Sequence, residues 1–403
     1  DSVASRGLGD VYKRQVSDIC NEVKLHGDCA LKNYNLQFDH VKTEQLEIDQ
    51  NKIKQAYDNL DDKTRSALEH SYNRIRAYQE QIKIQYVSNH QGECYEIHHP
   101  IERVGIYVPG GKASYSSTVL MIATLAQVAG VKEITVVTPP QTNGICQEVL
   151  AACHITGVNH VYQMGGAQSI AALAYGTESI SKVDKIVGPR NQFVYGQVCI
   201  DQIAGPTEIA LIIDETADLE AITYDVFAQA EHDEMACTYV ISEHEQILKR
   251  LEIMIQDQLQ YVERQDIVST SIAKHHYLIL VEDIEEACLV MNTIAPEHAS
   301  IQTKLPEVYV DKVKYVGALF LRYYSPEVIG GYVAGPSHVL PTNQTARFTN
   351  GLSVNDFMTR HSVIHLSQQT FNEVAQSAEH IAHIELYIIM KSRSIYVDKE
   401  GIG

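Results

Sequence analysis

No apolar stretch in this chain approaches the roughly 20 residues needed to span a bilayer, and the N-terminal residues lack the apolar h-region of a secretory signal. Basic residues are scarce: 32 Lys and Arg stand against 51 Asp and Glu, a net charge of −19. Nucleic acids and anionic membrane surfaces are held by clustered Lys and Arg, so neither is an expected partner. No Cys-x-x-Cys pair occurs among the cysteines at 20, 29, 94, 146, 153, 199, 237 and 288. Without a secretory signal, that scatter reads as reduced thiols, and a cytoplasmic location is expected. The G-x-G-x-x-G dinucleotide fingerprint is missing as well, and no low-complexity linker divides the chain.

What is present is a chain of 403 residues, 45% hydrophobic and 21% charged, long enough for two or three packed domains. Residues 1–15 show no periodicity that fits the rest of the chain and read as an atypical, foreign start. From Val16 to about Gln85 apolar residues recur at three- and four-residue spacings, as at Ile53, Ala56, Tyr57 and Leu60, which predicts helices.

Beyond Val104 strand and helix patterns alternate. Strands are predicted at 104–108, 134–137, 160–162, 185–187, 209–213, 238–241, 277–281 and 316–320, with helices at 118–129, 147–153, 245–256 and 284–291. After Gly351 the pattern turns helical again. Alternation of this kind predicts a parallel sheet covered on both faces, with ligands at the carboxyl ends of its strands. Gly-rich turns fall there: Pro109-Gly110-Gly111, Gly165-Gly166-Ala167-Gln168 and Gly188-Pro189-Arg190-Asn191. Glycine permits close backbone approach to a ligand, and helix N-termini favour phosphate, although such turns are also common as plain turns.

Two short motifs carry chemistry. In Ala228-Gln229-Ala230-Glu231-His232, Gln229 and His232 lie three apart; on a helix they share a face, a spacing suited to two ligands of one metal. On a solvated helix the same pair would be unremarkable. In Ala295-Pro296-Glu297-His298, a Glu-His pair can move protons, yet adjacent residues of a strand point to opposite faces unless the backbone turns, as Pro296 allows. A turn-rich segment, Gly335 to Thr342, adds His338. Tyr107, Gln168 and Asn191 sit at or just after predicted strand ends.

Together the segments VGIYVPGGKASYSSTVLMIATLAQVAG, GGAQSIAALAYGTESISKVDKIVGP, AGPTEIALI, AQAEHDE, APEHASIQT and GGYVAGPSHVLPTNQTARFTNGLSV resemble histidinol dehydrogenase, from about Ile19 to Val397. The resemblance implies an α/β fold of two incomplete Rossmann-like parallel-sheet domains with a helical N-terminal region and a helical C-terminal tail. Its expected division is 16–104 with 209–350 as one α/β domain, 105–208 as the NAD-binding domain, and 351–403 as a dimerisation tail. It implies oxidation of L-histidinol to L-histidine through L-histidinal, with two NAD, a zinc ion and a homodimer whose tails complete the partners' sites. By motif position Glu297 and His298 are the catalytic pair: His298 takes the substrate proton and Glu297 activates water. Gln229 and His232 match zinc ligands that also touch substrate. Thr207 stands where the family has a substrate-contacting Ser, and Glu385 matches a substrate-contacting Glu of the tail. Tyr107, Gln168 and Asn191 match NAD contacts.

Three positions depart from that pattern. Gly331 stands where the family has a zinc-binding Asp, and Ile389 or Lys391 where it has a tail His ligand. Arg190 replaces a Gly, and the helix over 192–200 looks short. Weak zinc binding and slow or absent turnover are therefore expected, since zinc sites ordinarily use three or four protein ligands. A folded member without activity, and a zinc and NAD alcohol dehydrogenase for another amino alcohol, are the competing readings.

Overall fold

The computed structural model describes residues 2–84, 93–110, 115–188, 198–200 and 205–385, with side chains from Gln15 onwards. Asn191, Arg190, Ile389 and Lys391 lie outside the described residues. The chain divides into two compact units, one of residues 1–83 with 101–357 and one of residues 84–100 with 358–403.

The first unit opens with three helices: α1 (Ser2–Phe38), α2 (Gln50–Asp58) and α3 (Asp62–Ile82). Helix α1 begins well ahead of Val16, where the sequence pattern placed its start. It breaks at Gly27 (φ 48°), where Glu178 Oε2 accepts the freed Asp28 N–H at 2.8 Å. Asp49 and Asp61 cap α2 and α3, each accepting a first-turn amide on its side chain.

Two five-stranded parallel sheets come next. The first comprises β2 (Arg103–Tyr107), β3 (Glu133–Thr138), β4 (His160–Gln163), β5 (Lys185–Val187) and β6 (Cys199–Ile200), in the spatial order β4-β3-β2-β5-β6. Its helices are α4 (Ser116–Ala129), α5 (Gln147–Ile155) and α6 (Gly166–Tyr175). The second comprises β7 (Glu208–Ile213), β8 (Cys237–Ser242), β9 (His276–Leu280), β10 (His298–Gln302) and β11 (Ala318–Leu321), in the order β11-β10-β7-β8-β9. Around it lie α7 (Leu219–Ala230), α8 (Glu245–Gln258), α9 (Gln265–His275), α10 (Ile284–Ile294), α11 (Glu307–Val310) and α12 (Glu327–Tyr332).

Numbered within each sheet, both orders are 3-2-1-4-5, a doubly wound Rossmann order short of its sixth strand. The inner strands are buried on both faces, as parallel strands covered by helices must be: Val104, Ile106, Val136, Val161, Ile186, Leu211 and Val240 are wholly inaccessible. Helix α4 is buried nearly all round and ends at Gly130 in the left-handed conformation (φ 99°).

The second unit holds β1 (Cys94–Pro100), β12 (Met358–Ile364) and α13 (Gln368–Ile384). The two strands form an antiparallel ribbon, with Ile97 opposite His361. A strand here departs from the helical expectation after Gly351. Met358-Thr359-Arg360-His361-Ser362 has no apolar alternation to betray it, and its pairing with β1 supplies what its own sequence does not.

Candidate functional site

The site forms where the second sheet reverses its order, between β7 and β10, but at the amino ends of those strands. The register sets His298 beside Ile209, so Thr207, just before β7, faces Glu297, just before β10. These polar side chains cluster at the amino edge of this sheet, whereas ligands of doubly wound sheets ordinarily lie at the carboxyl edge.

Local backbone explains how neighbouring residues enter one hollow. Helix α10 ends at Ala295 in the left-handed conformation (φ 47°). Pro296 and Glu297 then accept amides from Gly317 and Ala318 before the strand starts at His298. This is the turn that Pro296 foreshadows. It leaves Glu297 Oε2 3.8 Å from His298 Nδ1.

Three side chains are chained together. Gln229 Nε2 donates to Thr207 Oγ1 at 2.5 Å, and the Thr207 hydroxyl donates to Glu297 Oε2 at 2.5 Å. The Glu208 N–H adds a longer bond to the same oxygen, at 3.4 Å. Gln229 sits in the last turn of α7, wholly buried, not on a solvated face as its spacing alone suggested. His232 lies beyond the helix end, exposed, with Nδ1 2.8 Å from the Ala228 carbonyl.

Burial drives the electrostatics apart. The Glu297 carboxyl is raised to about 7, chiefly by desolvation, against the lowering effect of Thr207 and Glu208 N–H. His298 is lowered to about 3 by burial first and by His232 and His338 next. Burial thus favours the neutral form of both groups.

Two residues that sequence reasoning missed belong here. Glu327, first residue of α12, is largely buried and places Oε1 3.5 Å from His298 Nε2; burial raises its carboxyl. Asp225, one turn before Gln229 on α7, is raised to about 6 by burial and by Glu327. An acid at the start of a helix reads as a dipole partner, so nothing in the local pattern marked Glu327. His338 Nδ1 lies 2.8 Å from the Gly331 carbonyl. A cavity of about 330 Å³ is lined by His298, Gly331, His338, Phe320 and Tyr78. A wider groove of about 1000 Å³ runs along α7 past Asp225 but is lined by none of Thr207, Gln229, Glu297 or His298.

The fit to a divalent ion is partial. Among the described residues, Gln229 Oε1 is buried without a hydrogen-bond partner. An Nδ1–H held by the Ala228 carbonyl would leave Nε2 of His232 as a lone-pair donor, the usual outer-shell arrangement for a metal-binding histidine. Gly331 contributes nothing, although a Cβ there would meet only Glu327 Oε1, at 3.8 Å. Among the described residues no three His, Cys, Asp or Glu side chains gather as a metal cage.

In the first sheet the expected cofactor residues lie at the carboxyl edge. Tyr107 ends β2, buried, and its hydroxyl is 3.4 Å from Gly166 N. Gln168 lies buried in the first turn of α6. Gly188, after β5, has φ 127° and leaves only 2.5 Å between an added Cβ and the Tyr107 carbonyl. Glu385 caps α13 in the second unit, its side chain exposed.

Comparison with known proteins gives the family. The family model for histidinol dehydrogenase matches residues 6–395. The chain is 77% identical to histidinol dehydrogenase of Staphylococcus epidermidis over 389 residues, 95% of this chain and 94% of that protein. It is 70% identical to histidinol dehydrogenase of Staphylococcus aureus, covering 92% and 90% of the two chains. The crystal structure of histidinol dehydrogenase from Elizabethkingia anophelis superposes with a TM-score of 0.90 at 31% identity, covering 95% of this chain and 91% of that one. The chain belongs to the histidinol dehydrogenase family of oxidoreductases.

Proposed function

We propose that this chain oxidises L-histidinol through L-histidinal to L-histidine in two NAD-dependent steps, as a cytoplasmic homodimer, at a rate limited by an impaired zinc site. The observation that carries the reading is the Glu297–His298 pair, consecutive in sequence yet turned into one buried hollow at the β7/β10 crevice. His298 is the general base for the alcohol and then for the aldehyde hydrate. Glu297, once ionised, draws a proton from the water that attacks the aldehyde. Thr207 holds that carboxylate in place. Both side chains are largely buried, and the lower local dielectric strengthens each of these interactions.

Tyr107 and Gln168 are the residues that would hold the dinucleotide, with Asn191 as a third contact from its motif. When bound, NAD accepts the hydride; the protein's part is to position it. Gln229 Oε1 and His232 Nε2 would hold a divalent ion, whose chemistry when bound is to fix the amino and imidazole nitrogens of the substrate. Glu385 would reach substrate from the tail. Gly331 favours a second reading, a folded family member that has lost turnover.

The test is NADH absorbance on addition of L-histidinol to the purified chain with zinc. Two NADH per histidinol support the reading, and Glu297→Gln or His298→Asn should reduce the rate at least a thousandfold, in keeping with loss of a general base and its partner. No NADH from the parent chain, with fold intact, supports the inactive reading. Oxidation of other amino alcohols in preference to histidinol would replace both.

A further inference from the structure

We propose that Ser71 and Gln79 of α3 are positioning residues, which act through the loop after α12 to hold His338 and the backbone at Gly331 against the His298 cavity. The buried stripe of α3 runs Ser71, Ile75, Gln79, one turn apart each, so two of its three members are polar. Packing alone would favour apolar residues there, since a buried hydroxyl or amide is costly unless its hydrogen bonds are made. Both side chains are bonded, and to one loop. Ser71 Oγ donates to the Tyr332 carbonyl at 2.6 Å, and Gln79 Nε2 donates to the Gly335 carbonyl at 3.4 Å. Arg74 Nε, beside that stripe, donates to the Val333 carbonyl at 3.3 Å. Gly335 (φ 117°) lies so close on α3 that a Cβ there would come within 2.6 Å of Tyr78 Cβ.

The loop they grip borders the site. Tyr332 ends α12, directly after Gly331, and His338 follows shortly after Gly335. The carbonyls of Tyr332, Val333 and Gly335 turn to α3, whereas the Gly331 carbonyl meets His338 Nδ1 at 2.8 Å. On its other side α12 rests on β11, where a Cβ at Gly330 would sit 2.4 Å from the Phe320 ring. Gln79 also reaches a second wall: its Oε1 accepts the Val354 N–H at 3.0 Å, and beside it Asn355 Nδ2 donates to the Ile82 carbonyl at 3.1 Å. Tyr78, Gln79 and Ile82 thereby join His298, Gly331 and His338 around the same cavity. The Ser71 hydroxyl and both amide atoms of Gln79 are spent on backbone, so these residues act on the chemistry only through what they hold.

The consequence for turnover rests on the dehydrogenase reading, whereas the positioning itself is read without substrate. In the full chain carrying ¹⁵N-labelled histidine, at alkaline pH where imidazoles are neutral, the His338 ring is assigned by its loss in His338→Gln. A neutral ring whose Nδ1 meets a carbonyl carries its proton there, so the parent should show the Nδ1–H tautomer. Gln79→Met, close to glutamine in size, and Ser71→Ala should each replace it with the mixed tautomers of a free ring. Ser71→Thr, which keeps the hydroxyl, should retain it. Ser71→Ala removes a single hydroxyl and serves alone if the Met variant does not fold. NAD affinity by fluorescence titration should be unchanged, because the expected NAD contacts lie in the first sheet; general loosening of the fold would lower it. With histidinol as substrate, KM for histidinol should rise about tenfold in both variants with KM for NAD unaltered, as displacement of a site wall entails. The parental His338 tautomer in the folded variants would overturn the proposal. So would NAD affinity falling in the same variants, which would make α3 a plain structural support. A parent chain that yields no NADH counts against the dehydrogenase reading, and the tautomer still decides the positioning.

Discussion

The Thr207 hydroxyl gives its one proton to Glu297 Oε2 and receives one from the Gln229 amide, at 2.5 Å on both sides. A hydroxyl has a single donor and two lone pairs, so towards a substrate Thr207 can only accept. The bond also fixes the amide of Gln229 with its oxygen turned away from Thr207, and it opposes the upward push of burial on Glu297.

Thr207→Val keeps the shape and removes both bonds. Leaving a buried donor and a buried acceptor unpaired costs about 1–3 kcal/mol each, so a loss of several degrees in Tm is expected by calorimetry. Glu297 should titrate higher, moving the acidic limb of the kcat/KM profile to higher pH. Thr207→Ser should restore both; a Val variant with parental Tm and profile would show that the bridge is unimportant.

The Glu297 carboxyl gives a pH dependence of stability whose sign can be worked out. An ordinary glutamate releases its proton near 4.5, but in the folded chain Glu297 keeps it to about 7. Between those values the native state binds the extra proton, so stability falls as pH rises through this window. Glu297→Gln removes the penalty and should gain on the parent chain by up to about 3 kcal/mol between pH 5 and 8, at about 1.4 kcal/mol per unit. His298, lowered to about 3, contributes a slope of the opposite sign from pH 3 to its ordinary value, so the comparison must be made between the two proteins at each pH. Denaturant midpoints that track each other across the range would contradict the burial of Glu297.

Gly331→Asp places a carboxylate where only Glu327 Oε1 stands near, at 3.8 Å from the new Cβ. The site is open to it, and the variant should retain zinc at least tenfold more tightly, read by competition with a chelator, about 1.4 kcal/mol of added affinity. Equal zinc content in the two proteins would mean that Gly331 is not what weakens the site.

Gly188→Ala tests the nucleotide crevice. Its φ of 127° is one that L side chains rarely adopt, and a Cβ would lie 2.5 Å from the Tyr107 carbonyl. The ends of β2 and β5 must then part, and NAD affinity by fluorescence titration should fall at least tenfold. Unaltered NAD binding would place the dinucleotide elsewhere.

Much of the scaffold was legible because buried parallel strands announce themselves as short apolar runs: Lys185–Val187 is as the sequence suggests, and Glu208–Ile213 differs by one residue. The ribbon strands Cys94–Pro100 and Met358–Ile364 were not, because each is polar and half-exposed and is a strand only by pairing with the other. At the site, the motif around Glu297 and His298 was visible, as was the need for a turn at Pro296. Glu327 was invisible because its partner is 29 positions away and only the β11–α12 connection brings them together. The placement at amino rather than carboxyl strand ends was likewise a matter of topology, not of any local residue pattern.

The most direct measurement is the yield of NADH per histidinol consumed, taken on the parent chain and on Gly331→Asp at saturating NAD and zinc. Two NADH per histidinol, slow in the parent and at least tenfold faster with the restored carboxylate, is the expected result. A Gly331→Asp protein that folds, binds zinc and NAD, and still yields no NADH from histidinol would contradict the assignment of Glu297 and His298 to this chemistry.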